Sequence, residues 1–120
     1  MILLELDQVY PSLNKWMRVH WRERARINND WHWLILKAAQ KVCCGRPNYA
    51  KAKVSIILTF PVIRRRDNDN YTPKFVMDAL VGAGILQDDN AKQVQTSVEI
   101  VVGKRTGMKI IIEEVADLGK

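Results

Sequence analysis

Apolar and polar positions alternate along this chain in two periods, and the switches between them mark out the elements. Residues 2–6 (Ile-Leu-Leu-Glu-Leu) read as a short strand, and Asp7 to Asn14, with Pro11 and Ser12, as a loop. Lys15 to Arg26 is basic and aromatic, with no clean period. Trp31, Leu34, Ile35, Ala38, Ala39 and Val42 then recur with the spacing of an amphipathic helix. Asn28 or Asn29 can cap it and Gly45 can end it, which predicts a helix near 29–44 with Trp31 in the core and Trp33 facing elsewhere. Val54, Ile56, Leu58 and Phe60 alternate with Ser55, Ile57 and Thr59, the pattern of a strand that Pro61 ends.

Thr72-Pro73 reads as an N-cap followed by proline at the first helical position, where its missing N–H costs nothing. Phe75, Val76, Ala79, Leu80 and Ala83 form the stripe of a helix near 73–83, with Gly82 and Gly84 at its end. Val94, Thr96, Val98, Ile100 and Val102 alternate with polar neighbours. Gly103 to Gly107 is a turn, and Met108, Ile110 and Ile112 open another strand, so the last third predicts an antiparallel hairpin. The expected fold is α+β: one domain over 1–120, in the order β-α-β-α-β-β, with two helices and a mixed sheet closing on that hairpin.

Composition agrees with that reading. The chain has 120 residues, 48% of them hydrophobic and 27% charged, which excludes a disordered chain, a collagen-like repeat and a disulfide scaffold. No apolar run approaches the roughly 20 residues of a membrane-spanning helix. Met1 to Leu4 lacks the basic flank and length of a secretory signal. The expectation is therefore a cytosolic (cytoplasmic) protein with no membrane partner. Cys43 and Cys44 are adjacent, a poor geometry for a bridge, and read as small residues of a reduced helix.

Charge changes the picture more. The net charge is +6, but residues 1–66 carry +9 and residues 67–120 carry −3. A basic half followed by an acidic half suggests a polyanion-binding surface beside a carboxylate cluster.

The candidate chemistry lies where the two halves meet. Asp67 and Asp69 are two apart, so in an extended segment both side chains leave on one face. With Asp88 and Asp89 they offer the hard oxygen ligands that Mg²⁺ takes together with phosphate and water. The helix over 73–83 carries the chain about 16 Å away, at about 1.5 Å per residue. The stretch 84–88 returns at most about 17 Å, at about 3.3 Å per residue. Closure of the aspartates within one subunit is therefore just possible, if the chain doubles back at Gly82 and Gly84.

A polar Asp-Asn turn is the competing account of this tetrapeptide. Against it stand the arginine run Arg64-Arg65-Arg66 directly before, suited to bidentate phosphate contacts, and Lys74 directly after. Lys74 would stabilise transition-state charge or protonate a leaving oxygen, or else pair with Asp78. An EF-hand loop starting at Asp67 would need glycine where Thr72 stands. A phosphatase of the haloacid dehalogenase type needs a larger sheet, and nothing supports a serine or cysteine triad.

Taken together, Arg65-Arg66-Asp67-Asn68-Asp69-Asn70, Lys74, Asp78-Ala79-Leu80, Gly84-Ile85-Leu86 and Asp88-Asp89 resemble the RusA family of Holliday junction resolvases. The core of the likeness spans 64–90. Chain length, the early Pro11-Ser12-Leu13-Asn14 element and the expected closing hairpin are also similar. The resemblance implies a homodimeric endodeoxyribonuclease that needs Mg²⁺ or Mn²⁺, binds four-way DNA junctions and nicks two opposing strands symmetrically in recombination and repair. It needs no small-molecule cofactor.

Carried over by position, Asp67, Asp69 and Asp89 are the essential acidic residues and metal ligands, with Asp88 beside them, and Lys74 is the essential lysine. Arg64, Arg65, Arg66, Asn14, Lys15, Arg18 and Arg22 are the DNA-binding candidates. The bacterial pattern has two residues between the Asp-Asn pair and the lysine. Here Tyr71, Thr72 and Pro73 intervene, and a loop before the helix absorbs the extra residue. Two other functions fit the same residues: a nuclease for other branched nucleic acids, and a non-catalytic basic protein that binds junctions or duplexes.

Overall fold

The computed structural model describes residues 1–42, 47–61, 71–87 and 94–115. Among these, the elements are β1 (Ile2–Leu6), α1 (Leu13–Arg18), α2 (Trp21–Val42), β2 (Ala52–Phe60), α3 (Lys74–Gly82), β3 (Val94–Val102) and β4 (Gly107–Glu114). The fold is α+β with a mixed sheet, as the patterns predict. The described helices number three rather than two. No described helix is long and apolar enough to cross a membrane.

The additional helical structure comes from the stretch without a period. Lys15 lies in α1, and Trp21 to Arg26 form the first turns of α2, so Asn28 and Asn29 are interior residues of a 22-residue helix rather than caps. Its first turns bury little, which is why hydrophobic spacing misses them. Local polar contacts hold them instead. Ser12 Oγ accepts from the Lys15 N–H and starts α1. Arg24 donates through Nε to the Val19 carbonyl and through Nη2 to that of Met17, and Arg26 pairs with Glu23. Farther along, Trp31, Ile35 and Ala39 are buried and Trp33 is exposed, as the spacing predicts. The expected stop at Cys43, Cys44 and Gly45 lies outside the described residues.

The sheet order is β1-β4-β2-β3. β4 runs antiparallel to both β1 and β2, whereas β3 runs parallel to β2. The expected C-terminal hairpin is therefore corrected: β3 and β4 are consecutive strands but lie on opposite sides of β2. The reason is burial. β4 supplies Met108, Ile110 and Ile112, each 2% exposed or less, and so apolar a strand belongs in the middle of the sheet. β3 keeps Gln95, Ser97 and Glu99 exposed and takes the edge. One face of the sheet, built on Leu4, Ile110, Ile56, Leu58 and Val94, packs against the helical layer.

Two glycines make the connections work. Gly84 ends α3 with φ 77°, its N–H donating to Val81 and that of Ile85 to Leu80, the double bond of a Schellman cap. Gly103 carries the β3–β4 connection over the end of β2. Its N–H donates to the Phe60 carbonyl, and a Cβ there would lie 2.5 Å from Thr59 Cγ2. Gly103→Ala is therefore expected to destabilise the protein by about 1–3 kcal/mol in urea unfolding. Adding Thr59→Ser, which removes the opposing methyl, should recover most of that loss.

Candidate nucleic-acid interface

Several connections gather at one end of the sheet. β2 leaves there at Phe60, β3 at Val102, and β1 at Leu6. β4 enters there, with Gly107 opposite Thr59 and Met108 opposite Leu6. An aromatic cluster joins this end to the helices. Tyr10, 1% exposed, meets Trp31 edge-on at 6.3 Å between ring centroids. It meets Tyr71 at 6.2 Å and Phe75 at 5.6 Å. Its hydroxyl donates to the Tyr71 carbonyl at 3.1 Å. Trp16 of α1 stands edge-on to Phe75 at 4.9 Å, and Tyr71 lies 5.6 Å from Phe60.

These contacts clamp both chain ends that flank residues 62–70. Pro61 follows Phe60, and Tyr71 returns against Phe60 before α3 begins. Lys74 is the first residue of α3 and is exposed, and its N–H donates to Thr72 Oγ1 at 3.4 Å. The expected cap is therefore shifted by one residue: Pro73, not Thr72, is the N-cap, Lys74 rather than Pro73 is the first helical residue, and Thr72 contributes only this long bond to the Lys74 N–H. The Trp16–Phe75 contact brings α1 beside it, with Asn14, Lys15 and Arg18 exposed. Arg22 is exposed on the first turn of α2. The structure thus collects Lys74 with Asn14, Lys15 and Arg18 around one aromatic hub.

Arg64, Arg65, Arg66, Asp67, Asp69, Asp88 and Asp89 lie outside the described residues. Their attachment points are described, and they fall at opposite ends of β2. Residues 62–70 follow Pro61 and precede Tyr71 in the chain, and both of those neighbours lie at the Phe60 end of β2. Residues 88–93 lie in sequence between Gln87, whose N–H donates to the Tyr49 carbonyl, and Val94, which pairs with Ala52 at the start of β2. β2 is about 26 Å long at about 3.3 Å per residue. The described scaffold does not itself join the two aspartate pairs. Among the described residues, no group of three or more His, Cys, Asp or Glu side chains could hold a metal ion.

Sequence reasoning missed Lys104 and Arg105. The spacing marks 103–107 as a turn, but only the strand order shows that this turn crosses the Phe60 end of β2. Both residues are exposed there. Asp7, after β1, is the acidic residue on the described loops of this end. The local field is therefore positive and suits a polyanion. No protein-family model matches the chain, and no curated protein matches it.

Burial pushes the Tyr10 phenol above the ordinary tyrosine range, and neighbouring Tyr71 adds to the shift. A raised folded-state pKa means that the contribution of Tyr10 to stability is complete below about pH 10, where an unfolded tyrosine titrates. It is lost as pH rises beyond that. Tyr10→Phe should cost about 1 kcal/mol at neutral pH through the lost hydrogen bond. Thermal melts of Tyr10→Phe across alkaline pH should also fall less steeply than those of the wild type.

Proposed function

We propose that the chain is a Mg²⁺-dependent, structure-selective endodeoxyribonuclease of the RusA type, cutting four-way DNA junctions by paired symmetric nicks as a homodimer. The observation that carries this reading is the aromatic clamp on the two ends of residues 62–70. It fixes the described ends on either side of the Arg-Arg-Arg-Asp-Asn-Asp-Asn segment, Phe60 and Tyr71, at the end of the sheet that also carries exposed cations of α1 and of the β3–β4 connection.

Phosphate binding falls to this chain's own side chains. Arg64, Arg65 and Arg66 can each grip a phosphate through two parallel donors. Lys15, Arg18, Lys104 and Arg105 extend the cationic surface along the flanking backbone. Lys74 places a positive charge where the leaving oxygen develops negative charge. Asp67 and Asp69, and Asp89 with its neighbour Asp88, offer the oxygen donors that Mg²⁺ or Mn²⁺ takes, and because the two pairs attach at opposite ends of β2, one shared ion requires both segments to close that distance. When bound there, the ion supplies Lewis-acid activation of the attacking water and neutralises charge on the scissile phosphate. A two-fold dimer matches the approximate two-fold symmetry of the junction, so two sites can meet matched strands.

A labelled synthetic four-way junction tests the proposal. Wild type with Mg²⁺ should give paired nicks that ligase reseals, and chelator should abolish them. Asp69→Asn should keep the fold and junction binding and cut at least a hundredfold more slowly. Mg²⁺ should raise the melting temperature of the wild type more than that of Asp69→Asn. Tight binding without nicks under any metal condition would overturn the nuclease reading and leave a junction-binding protein. Unpaired nicks on flaps would point to a different branched substrate.

Lys104→Ala and Arg105→Ala should each weaken junction binding whatever the sequence. Each should also reduce the slope of log affinity against log salt by about 0.9.

A further inference from the structure

Trp21 and Trp33 are exposed tryptophans that the proposed chemistry leaves unused, and Trp21 is the one set among a cation and an imidazole. Trp31 is buried at 7% exposure and Trp16 is packed on Phe75, but Trp21 is 64% exposed at the start of α2. It does not stand alone. The Arg22 guanidinium lies over its ring, 5.2 Å from the centroid. The His20 imidazole lies 5.5 Å away, tilted by 32°. His20 is held in turn, because its Nδ1 accepts from the Arg22 N–H at 3.2 Å.

The elbow beneath this layer is braced. Arg24 bonds the Val19 and Met17 carbonyls across the α1–α2 junction, and Trp16 ties α1 to the aromatic hub. Such bracing lowers the ordering cost that an exposed aromatic would otherwise meet on binding.

We propose that His20, Trp21 and Arg22 form a stacking site for an unpaired nucleobase, with Arg18 and Arg22 taking its flanking phosphates. The site rests on the nucleic-acid reading above and adds to it a contact with base rather than backbone. A nucleobase offers a π face to the ring system and a phosphate to the cations, so one ligand satisfies both. An apolar protein partner would instead have to desolvate the guanidinium lying on the indole, at a cost it does not repay.

The test uses a junction carrying one unpaired 2-aminopurine at the branch point, beside its fully paired counterpart and a plain duplex, all in chelator so that nothing is cut. Wild type should quench the 2-aminopurine and prefer the unpaired-base junction. Trp21→Ala should lose the quench and bind that junction about tenfold more weakly, with duplex affinity and melting temperature unchanged. Trp21→Phe should retain most of both effects. Absence of quenching by a wild type that still binds junctions would overturn the stacking site and leave the nuclease reading standing. Failure to bind any of the three DNAs would overturn both. A change in sedimentation of Trp21→Ala with no base-dependent effect would overturn stacking in favour of self-association through this face.

Discussion

The aromatic hub around Tyr10 is the constraint on which the Phe60 end of the molecule depends. A phenol buried this deeply must find a hydrogen-bond acceptor, and here it finds the backbone carbonyl of Tyr71. That one bond, with the ring contacts to Trp31, Tyr71 and Phe75, ties the loop after β1 to α2 and to the entry of α3. The Phe60–Tyr71 contact completes the tie to the sheet. The chain can therefore leave β2, run through a strongly charged segment and return to a defined place.

Like charges brought together at one end of a sheet repel, and a protein that collects them needs an anion there or another source of stability. The hub provides the second and a polyanion would provide the first. Lys15 and Arg18 of α1 and Lys74 of α3 flank the Trp16–Phe75 contact, and Lys104 and Arg105 reach the same end because β3 leaves the sheet beside Phe60. The Gly103 passage over Thr59 is what lets the last of these connections reach that end.

Helix α2 shows how one element serves two purposes. Its second half lays Trp31, Ile35 and Ala39 into the core. Its first turns expose Trp21 and Arg22 on a braced elbow and bury little. Stability comes from one half, which leaves the composition of the other free to serve contacts with a partner.

Much of this was legible in the linear chain. The strands over 2–6 and 52–60, the apolar stripes of α2 and α3, the buried Trp31 and the glycine stop after α3 all follow from local periodicity and cap chemistry, which depend on neighbours a few residues away. The helical nature of 15–26 was not legible, because polar contacts rather than an apolar stripe hold it. Strand partners were not legible either. β2, β3 and β4 all carry the same two-residue alternation, and alternation reports which face is buried, not which strand lies alongside. Only the competition for the centre of the sheet, won by the more apolar β4, sent β3 to the far side of β2. For the candidate site, the sequence by itself determined which residue types stand together at 64–70 and 88–89. Tertiary structure alone decided that Lys74, the α1 cations, Lys104 and Arg105 share one end, because that depends on strand order and on the rings that clamp Phe60 to Tyr71.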